Sequence, residues 1–238
     1  GNRAPTDLNA TTLLTILENQ PIGTFITEFN ASDSDANNTL TYDLVDGNGS
    51  GSNPFFVLDP NGTLESAVVF DFESNATNHS IRVRVRDQHA YNMIRTFSIT
   101  LLDANDPPTD LNITAPLQVL ENKPAGTLVG QFTAYDPDIP STLSYKIDNT
   151  YVDKYSLRLD TNGTLWTKAP LDFEANATLT IRVKVEDQHG AWIKKFFTIE
   201  VLNEVEDFDG DGIEDAHDPD DDNDGYSDIA EIAYGSDP

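Results

Sequence analysis

The chain has 238 residues, which allows one large domain or two of ordinary size, and it carries 41 Asp and Glu against 14 Lys and Arg for a formal net charge of -27. That charge argues against nucleic acid or an anionic membrane surface as a partner, and the lack of Cys excludes thiol catalysis, thiolate metal sites and disulfides. No apolar run reaches the roughly 18 residues that a membrane-spanning helix needs.

In chain order, the first distinctive segment returns about 100 residues later. Leu13-Leu-Thr-Ile-Leu-Glu-Asn-Gln-Pro-Ile-Gly-Thr24 is matched by Leu117-Gln-Val-Leu-Glu-Asn-Lys-Pro-Ala-Gly-Thr127. Further matches follow in the same order: Asp33-x-Asp35 with Asp136-x-Asp138, Leu58–Leu64 with Leu159–Leu165, Asp71-Phe-Glu73 with Asp172-Phe-Glu174, and Asp87-Gln-His89 with Asp187-Gln-His189. Ordered matches at one period indicate two copies of one domain.

Each copy is predicted to be all-β. Runs such as Ile81–Arg86, Phe97–Leu101 and Ile181–Val185 alternate apolar with polar residues, which is typical of an antiparallel sheet with one buried face. Asn-Gly at 61–62 and at 162–163 indicates tight turns between such runs. Roughly seven strands per copy, without a long helical pattern, predict a β-sandwich.

The segment Asp103-Ala-Asn-Asp-Pro-Pro108 joins the copies, and its paired prolines predict a stiff, extended connector. Acidic residues fall at strand ends and in loops, and because sandwich loops cluster at two poles, we expect these carboxylates to meet at the junction. Such oxygen ligands favour a hard cation, and calcium over magnesium where protein oxygens fill the shell; the alternative is a solvated acidic surface. The acids are Glu18, Asp71, Glu73, Asp106, Asp136, Asp138 and Asp187.

The last segment holds 15 carboxylates and no Lys or Arg between Glu204 and Pro238. Two series of acids, each with Gly at the sixth position, match the spacing of a calcium-binding loop; the alternative is a disordered acidic segment. The first series is Asp207, Asp209, Asp211, Asp215 and Asp218 with the Ile213 carbonyl, and the second is Asp220, Asp222, Asp224, Asp228 and Glu231 with the Tyr226 carbonyl. Almost no helical sequence precedes either loop, so the helix–loop–helix context of an EF-hand is missing.

The ordered motifs Glu-Asn-x-Pro-x-Gly-Thr, Asp-x-Asp, Asp-Phe-Glu and Asp-x-Asn-Asp-x-Pro resemble those of tandem cadherin repeats from residue 2 to about 206. The two acidic loops resemble thrombospondin type 3 repeats, in which calcium loops follow one another closely with little core. The resemblance implies two tandem Greek-key β-sandwich domains, residues 1–104 and 105–206, and a small calcium-loop segment, residues 207–238.

The cadherin resemblance also implies three Ca²⁺ between the copies. Glu18, Asp71, Glu73 and Asp106 would hold the first two ions with the Ala104 carbonyl, while Asn105, Asp136, Asp138 and Asp187 would hold the third with the Pro107 carbonyl. Asp138 would reach the second ion as well. The loop Asn of the family is present as Asn37 in the first copy, whereas the second copy has Pro140, which offers only its backbone carbonyl.

Two further poles hold incomplete ligand sets. At the N-terminus, Asn2-Arg-Ala-Pro5 aligns with the connector, so that Asn2, Asp33, Asp35, Asn37 and Asp87 would form half a site, with Arg3 in the place of the connector Asp. At the end of the second copy, Glu121, Asp172, Glu174 and Glu206 would bind one or two ions, and Val205 replaces the connector Asn.

The motifs lead to the hypothesis of a non-catalytic, calcium-binding adhesion or stalk module that is extracellular or at the cell surface. Its partners would be other cadherin-like repeats or cell-surface and matrix molecules, protein or carbohydrate. An alternative is a carbohydrate- or matrix-binding accessory module of a larger secreted protein, which a line of exposed aromatic residues on one sheet face would favour; the sequence shows only isolated ones. An enzyme is disfavoured, because the sequence has no nucleophile elbow, phosphate loop or His-centred constellation.

Overall fold

A computed structural model describes residues 1–148 and 156–236, and the chain divides into two compact units, Gly1–Asn105 and Asp106–Pro238. Segment 149–155 of the predicted second domain and residues 237–238 of the predicted tail lie outside the described residues. Strands make up 41% of the structure and helix 5%, which confirms the predicted all-β class. Among the described helices, none is long and apolar enough to cross a membrane.

The first unit is a sandwich of eight strands: β1 (Thr6–Ala10), β2 (Thr15–Leu17), β3 (Phe25–Ser32), β4 (Thr41–Leu44), β5 (Phe56–Leu58), β6 (Thr63–Ser66), β7 (Asn78–Arg86) and β8 (Asn92–Leu102). They form two four-stranded sheets with the orders β1-β3-β6-β5 and β2-β8-β7-β4. Among the described residues, each copy has one strand more than the roughly seven predicted, because its first segment serves both sheets. β1 pairs antiparallel with β3, whereas β2 pairs parallel with β8, so the chain crosses between the sheets at residues 11–14.

The core of the first unit follows from the alternation of its long strands. Ile81, Val83 and Val85 of β7 are fully buried, while the arginines between them are partly exposed. They pack against a cluster that includes Phe29 and Leu64 of the facing sheet. Burying a side chain of this kind contributes about 1.5–3 kcal/mol, so this cluster is the main source of the sandwich's stability.

The predicted Asn-Gly turns lie between paired strands in both units. Gly62 has φ +99°, and a Cβ there would lie 2.5 Å from the carbonyl oxygen of Phe29. Gly163 has φ +91°, with the carbonyl oxygen of Phe132 at 2.7 Å from such a Cβ. Because glycine alone combines this dihedral with so close an approach, both turns depend on it.

The second unit repeats the sandwich: β9 (Thr109–Ile113), β10 (Gln118–Leu120), β11 (Leu128–Tyr135), β12 (Ser144–Ile147), β13 (Leu157–Leu159), β14 (Thr164–Thr167), β15 (Thr178–Glu186) and β16 (Trp192–Leu202). The sheet orders are β13-β14-β11-β9 and β10-β16-β15-β12. Ile181, Val183 and Val185 of β15 occupy the buried positions that Ile81, Val83 and Val85 hold in β7.

The acidic tail follows this sandwich and contains a short 3₁₀ turn at Asp215–His217 and one helix, α1 (Asp228–Tyr234). Its large apolar side chains are exposed: Phe208, Ile213, Tyr226, Ile229, Ile232 and Tyr234. Helix α1 ends at Gly235 in the left-handed conformation that commonly terminates helices. Apolar burial therefore contributes little to the order of this segment.

Candidate metal centres

The first unit gathers carboxylates at the end from which the chain leaves it. Glu18 directly follows β2 and is fully buried. Its Oε2 accepts a hydrogen bond from the backbone N–H of Phe72 at 2.6 Å, and its Oε1 accepts one from the N–H of Ala104 at 2.8 Å. One carboxylate thus holds both the loop after β6 and the connecting segment after β8.

Glu18, Glu73 and Asp103 each offer a carboxylate oxygen within 4.8 Å of the other two. Asp71 lies in the same loop as Glu73, and its Oδ1 accepts a hydrogen bond from the N–H of Ser74 at 3.1 Å. Asp103 is absent from the ligand set predicted from the sequence. The sequence feature that could identify Asp103 as a candidate ligand is its position as the first acid of the Asp-x-Asn-Asp connector.

The second unit holds another acidic group near its start. Asp136 and Asp187 are each 6% exposed, and Asp136 accepts hydrogen bonds from the hydroxyl of Ser141 at 2.6 Å and from the N–H of Asp138 at 3.1 Å. Oδ2 of Asp138 accepts from the N–H of Asp106 at 2.7 Å, while its Oδ1 is buried without a hydrogen-bond partner among the described residues. A buried carboxylate oxygen without a donor is costly, and a cation would satisfy it.

The loops beside this group are held by backbone hydrogen bonds. Oδ1 of Asp187 accepts from the N–H groups of His189 at 2.7 Å and Ala191 at 3.0 Å. The carbonyl of Pro140, one of the predicted ligands, accepts a hydrogen bond from the side-chain amide of Gln188 at 3.2 Å. The other predicted carbonyl ligands, Ala104 and Pro107, and the amide ligand Asn105 lie outside the strands, in the connecting segment.

The start of the first unit repeats this arrangement. The N–H of Arg3 donates to Oδ2 of Asp35 at 2.6 Å, as the N–H of Asp106 does to Asp138. The N–H of Asp35 donates to Oδ1 of Asp33 at 2.9 Å, and Oδ2 of Asp33 is buried without a partner in the described part of the chain. The segment of Asn2 to Pro5 is therefore held by the same backbone hydrogen bond as the connector.

Asp87 completes this half of a site. Burial would raise the pKa of Asp87, but hydrogen bonds from the Asn2 amide and from the N–H groups of His89 and Tyr91 outweigh that effect and hold the pKa below its ordinary value. The carboxylate is therefore charged at neutral pH. Asn37 lies in a nearby turn of the sequence with φ +61°.

The far end of the second sandwich carries the counterpart of the Glu18 cluster. Glu121, Asp172 and Glu174 offer carboxylate oxygens within 4.8 Å of one another. Glu121 is 1% exposed and accepts hydrogen bonds from the N–H groups of Phe173 at 2.7 Å and Glu204 at 2.9 Å. Glu18 and Glu121 therefore each accept hydrogen bonds from a loop and from the chain segment that follows the last strand of the sandwich.

Carboxylates of the tail line the same cleft, which has a volume of about 340 Å³. Besides Glu121 and Glu174, its lining includes Glu206, Asp215 and Asp221. A hydrogen bond from its own backbone would lower the pKa of Glu174, but burial and the negative charges of Glu121 and Glu206 raise it above its ordinary value. The cleft therefore holds more negative charge than its surroundings neutralise.

Asp221 is a second residue that sequence reasoning missed, since it occupies position two of the second acidic loop and is not a predicted ligand. Burial, together with the negative charges of Asp228 and Asp215, raises its pKa. Its Oδ1 is buried without a hydrogen-bond partner among the described residues. Only the docking of the tail against the sandwich, which sequence spacing does not reveal, places Asp221 in this cleft.

The two tail loops have the same internal hydrogen bonds at equivalent positions. The N–H of Gly212 donates to Asp207 at 3.1 Å, and the N–H of Gly225 donates to Asp220 at 3.0 Å. Both glycines have positive φ, as the predicted sharp turn at position six requires.

Each tail loop also gathers its first three acids. Asp207, Asp209 and Asp211 have carboxylate oxygens within 4.8 Å of one another, and so do Asp220, Asp222 and Asp224. Asp215 and Asp228, at position nine of each loop, accept hydrogen bonds from the N–H groups of Phe208 at 2.8 Å and Asp221 at 2.9 Å.

Position twelve distinguishes the two loops. Glu231, on α1, is 6% exposed, and its Oε2 has no hydrogen-bond partner among the described residues. Burial and the negative charges of Asp224 and Asp222 raise its pKa. The first loop has the shorter Asp218 at this position, which is only partly buried.

All these groups offer carboxylate and carbonyl oxygens rather than nitrogen or sulfur, which is the donor set of Ca²⁺. Of the buried oxygens without a partner in the described ranges, four belong to predicted ligands: Asp33, Asp138, Asp220 and Glu231. The residues therefore fit calcium by donor chemistry and by the need of buried oxygens for a positive partner.

Comparison with known families identifies both segments. The cadherin domain model matches residues 13–102 and again residues 115–200. The bacterial TSP3 repeat model matches residues 220–238, a span that contains the second acidic loop. Both resemblances drawn from the motifs are confirmed.

Two relatives illustrate the sequence similarity. Mouse cadherin-9 is 27% identical over 224 residues, which cover 85% of this chain and 28% of cadherin-9. Human protocadherin Fat 4 is 30% identical over 200 residues, which cover 79% of this chain and 4% of Fat 4. The chain thus spans about a quarter of the one relative and a small fraction of the other.

Solved structures share the fold at lower sequence identity. Human protocadherin-24 EC1-2 superposes with a TM-score of 0.59 at 22% identity, covering 86% of this chain and 100% of that one. Drosophila N-cadherin EC1-4 gives a TM-score of 0.58 at 23% identity, covering 86% of this chain and 50% of that one. Both structures share the fold of tandem cadherin repeats. The cadherin family, whose domain model matches both sandwiches, consists of adhesion modules rather than enzymes.

Proposed function

Because the chain belongs to the cadherin family, we propose that it is a calcium-binding extracellular adhesion or stalk module in which Ca²⁺ fixes the angle between the two sandwich repeats. The proposal rests on two carboxylates, one from each sandwich, that each accept a hydrogen bond from a backbone N–H of the connector. Glu18 accepts from the N–H of Ala104, and Asp138 accepts from the N–H of Asp106. The second oxygen of Asp138 has no hydrogen-bond partner within residues 1–148 and 156–236.

Charge balance supports a cluster of ions at the connector. The seven predicted junction carboxylates carry -7 against +6 for three Ca²⁺, and Asp103 adds one further negative charge. Without metal, two carboxylates about 4 Å apart repel each other by roughly 1–4 kcal/mol, depending on the local dielectric. We therefore expect the junction to stiffen when Ca²⁺ binds and to open when it is removed.

We extend the proposal to the end of the second repeat. Glu121, Asp172 and Glu174 would bind Ca²⁺ there together with Asp215 and Asp221 of the tail. In this arrangement the tail supplies the carboxylates that a following repeat would otherwise provide. The two tail loops would each bind one further ion, with Glu231 making the second loop the tighter.

The proposed setting is the cell surface or the extracellular space, as for the cadherins that the chain resembles. Its partners would be other cadherin-like repeats, or cell-surface and matrix molecules of protein or carbohydrate nature. The proposal requires no catalytic group, because the acids serve as ligands.

Small-angle scattering of the full chain tests the calcium-fixed angle directly. With saturating Ca²⁺ we expect the profile of a rigid particle, and with excess chelator a broader ensemble that reverts when Ca²⁺ is restored. Mg²⁺ at the same concentration is the control, since the smaller ion demands near-octahedral geometry and retains its waters. Identical profiles with Ca²⁺ and with chelator would contradict the proposal.

A further inference from the structure

Beyond its calcium sites, we infer that the second sandwich binds an anionic polysaccharide, a chain of sugar rings carrying carboxylate or sulfate groups, on the outer face of one sheet. The face is formed by outward-pointing residues of β12, β15 and β16, and we call it the lysine–aromatic face. Its members are Lys146, Arg182, Lys184, Trp192, Lys194 and Phe196.

Two large aromatic side chains on this face lie open to solvent. Trp192 is 48% exposed and Phe196 is 51% exposed, and both point away from the core that Phe197 and Ile199 enter. They lie four residues apart on β16, which corresponds to about 14 Å along a strand. The two rings therefore lie on one sheet face, with Lys194 between them.

A row of lysines crosses the same face. Lys146 of β12 is directly opposite Lys184 of β15, and Lys184 is directly opposite Lys194 of β16. Like charges in directly opposed positions destabilise a sheet unless anions lie between them. Glu186 and Asp148 supply two: Glu186 contacts Lys146 and Lys184, and Asp148 contacts Arg182 and Lys194.

These contacts leave the face positive. Its four cations and two neighbouring carboxylates amount to +2, on a chain whose net charge is -27. An anionic ligand would meet a local attraction there, on a chain whose overall charge repels it.

The rings and the cations are adjacent. The Nζ atoms of Lys184 and Lys194 lie 5.0 and 4.7 Å from the ring centroid of Trp192, and the Cζ atom of Arg182 lies 5.6 Å from that of Phe196. A sugar ring stacked by its C–H face on Trp192 would bring its carboxylate or sulfate group within reach of these ammonium groups. The combination of flat apolar surface and adjacent positive charge suits a charged sugar better than a neutral one.

The first sandwich shows that the fold does not require this face. Its buried positions are the same, but the equivalents of Trp192, Lys194 and Phe196 are Asn92, Ile94 and Thr96. The equivalent of Lys146 is Asp43, which forms a salt bridge with Arg84. The rings and the lysine row are therefore not required for the sandwich to form.

Titration calorimetry of the calcium-saturated full chain tests the inference, with hyaluronan and heparin hexasaccharides as carboxylate-bearing and sulfate-bearing probes. We expect at least one to bind and to shift the tryptophan emission, with an affinity that falls as salt rises. An uncharged N-acetylglucosamine hexamer and hexaglutamate are the matched controls. Failure of both anionic probes to bind overturns the inference. Equally tight binding of the uncharged hexamer also overturns it. Equally tight binding of hexaglutamate would overturn it as well, because it would indicate an acidic peptide as the ligand.

Variants locate the site without disturbing the fold. Trp192→Asn and Phe196→Thr install the residues of the first sandwich, and each should weaken binding about tenfold, as loss of a central aromatic contact does. Lys194→Ile should weaken binding and reduce its salt dependence. Ile94→Ala, at the equivalent position of the first sandwich, should change neither. Unchanged calcium-bound melting temperatures would show that each variant is folded, and an equal loss with Ile94→Ala would overturn the assignment.

Discussion

At the scale of single residues, some carboxylates in this chain use one oxygen to accept a backbone hydrogen bond, while the second oxygen has no hydrogen-bond donor among the described residues. Asp138 accepts the N–H of Asp106 with one oxygen, and its other oxygen is buried without a partner in the part of the chain that the structure describes. At the start of the first sandwich, Asp33 likewise accepts the N–H of Asp35 with one oxygen and buries the other without a described partner. The backbone contact orients the group, and the remaining oxygen suits a cation.

Asp138→Asn should separate these two tasks, because the amide oxygen still accepts the N–H of Asp106 while the charge that binds Ca²⁺ is lost. We expect calcium-free stability not to fall, since removing one charge relieves repulsion among the junction carboxylates. The stabilisation by Ca²⁺ should shrink, by up to about 2.7 kcal/mol at a hundredfold excess over Kd.

Calorimetric melting of the full chain with Ca²⁺ and with chelator measures both quantities. Asp46→Asn, which neutralises an exposed carboxylate outside the predicted sites, is the control. An undiminished calcium response in Asp138→Asn would rule out Asp138 as a ligand.

His79 shows a different kind of residue-scale effect. It is 3% exposed and packs against Phe55, Phe56 and Phe70, with its ring centroid 4.8 Å from that of Phe70. Burial lowers the pKa of His79, against a smaller opposite effect of the backbone at Ala76. The unfolded chain therefore takes up a proton at a pH at which the folded chain does not.

We expect His79 to make the first sandwich less stable in mild acid. Its contribution is fully present above the unfolded pKa of about 6.5 and is lost as the pH falls through the lower folded value. His79→Leu, which places the residue found at Leu179 in the second sandwich, should reduce the loss of stability between about pH 7.5 and about pH 5.5. Urea unfolding of both proteins with Ca²⁺ at the two pH values measures the difference. Equal losses would mean that His79 does not titrate in this range.

At the scale of elements, the sandwiches and the tail are ordered by different forces. Strand β7 buries alternate side chains in a continuous core, whereas α1 exposes Ile229, Ile232 and Tyr234. Ordering a backbone residue costs about 1–2 kcal/mol, and exposed side chains do not offset that cost. The tail carboxylates repel one another in addition, so cations must supply the compensation.

The tail should fold only when Ca²⁺ is bound. Limited proteolysis should cleave residues 207–236 quickly in chelator and slowly with Ca²⁺, because ordered loops resist cleavage. Glu231→Gln should restore rapid cleavage of the second loop in Ca²⁺ and leave the sandwiches intact. Glu214→Gln, a tail carboxylate outside the predicted ligands, is the control. Equal cleavage of the wild-type tail in both conditions would identify it as an acidic linker.

At the scale of the whole molecule, the charge of -27 is the dominant feature. The acids are concentrated at strand ends, in the connector and in the tail, while the outer face of one sheet carries cations in each unit. In the first unit these are Arg82, Arg84 and Arg86, and in the second Lys146, Arg182, Lys184 and Lys194. Bound Ca²⁺ would neutralise the acidic clusters and leave the basic faces as they are.

Monovalent salt should therefore stabilise the calcium-free protein far more than the calcium-bound protein. Raising NaCl from about 0.01 M to about 0.15 M shortens the screening length from about 30 Å to about 8 Å, which weakens carboxylate repulsion. We expect the melting temperature to rise with salt in chelator and to change little in Ca²⁺. A larger salt effect in Ca²⁺ would contradict a cation-neutralised acidic cluster.

The sequence by itself determined the repeat, the sandwich class and most of the acids that the structure gathers into clusters. These features are local, since a period of two defines a half-buried strand and a loop of Asp residues with Gly at position six defines its own turn. The sequence does not predict the extra strand found in the described part of each copy, because the division of β1 from β2 depends on which sheet each segment pairs with.

The tertiary structure decided which distant residues meet. Asp221 enters the cleft of Glu121 because the tail lies against the sandwich. Lys146 and Lys184 share a face with Trp192 because of the register of β12, β15 and β16. Residues on different strands are brought together by pairing and register, which depend on the packing of the whole sandwich and not on the spacing of residues along the chain.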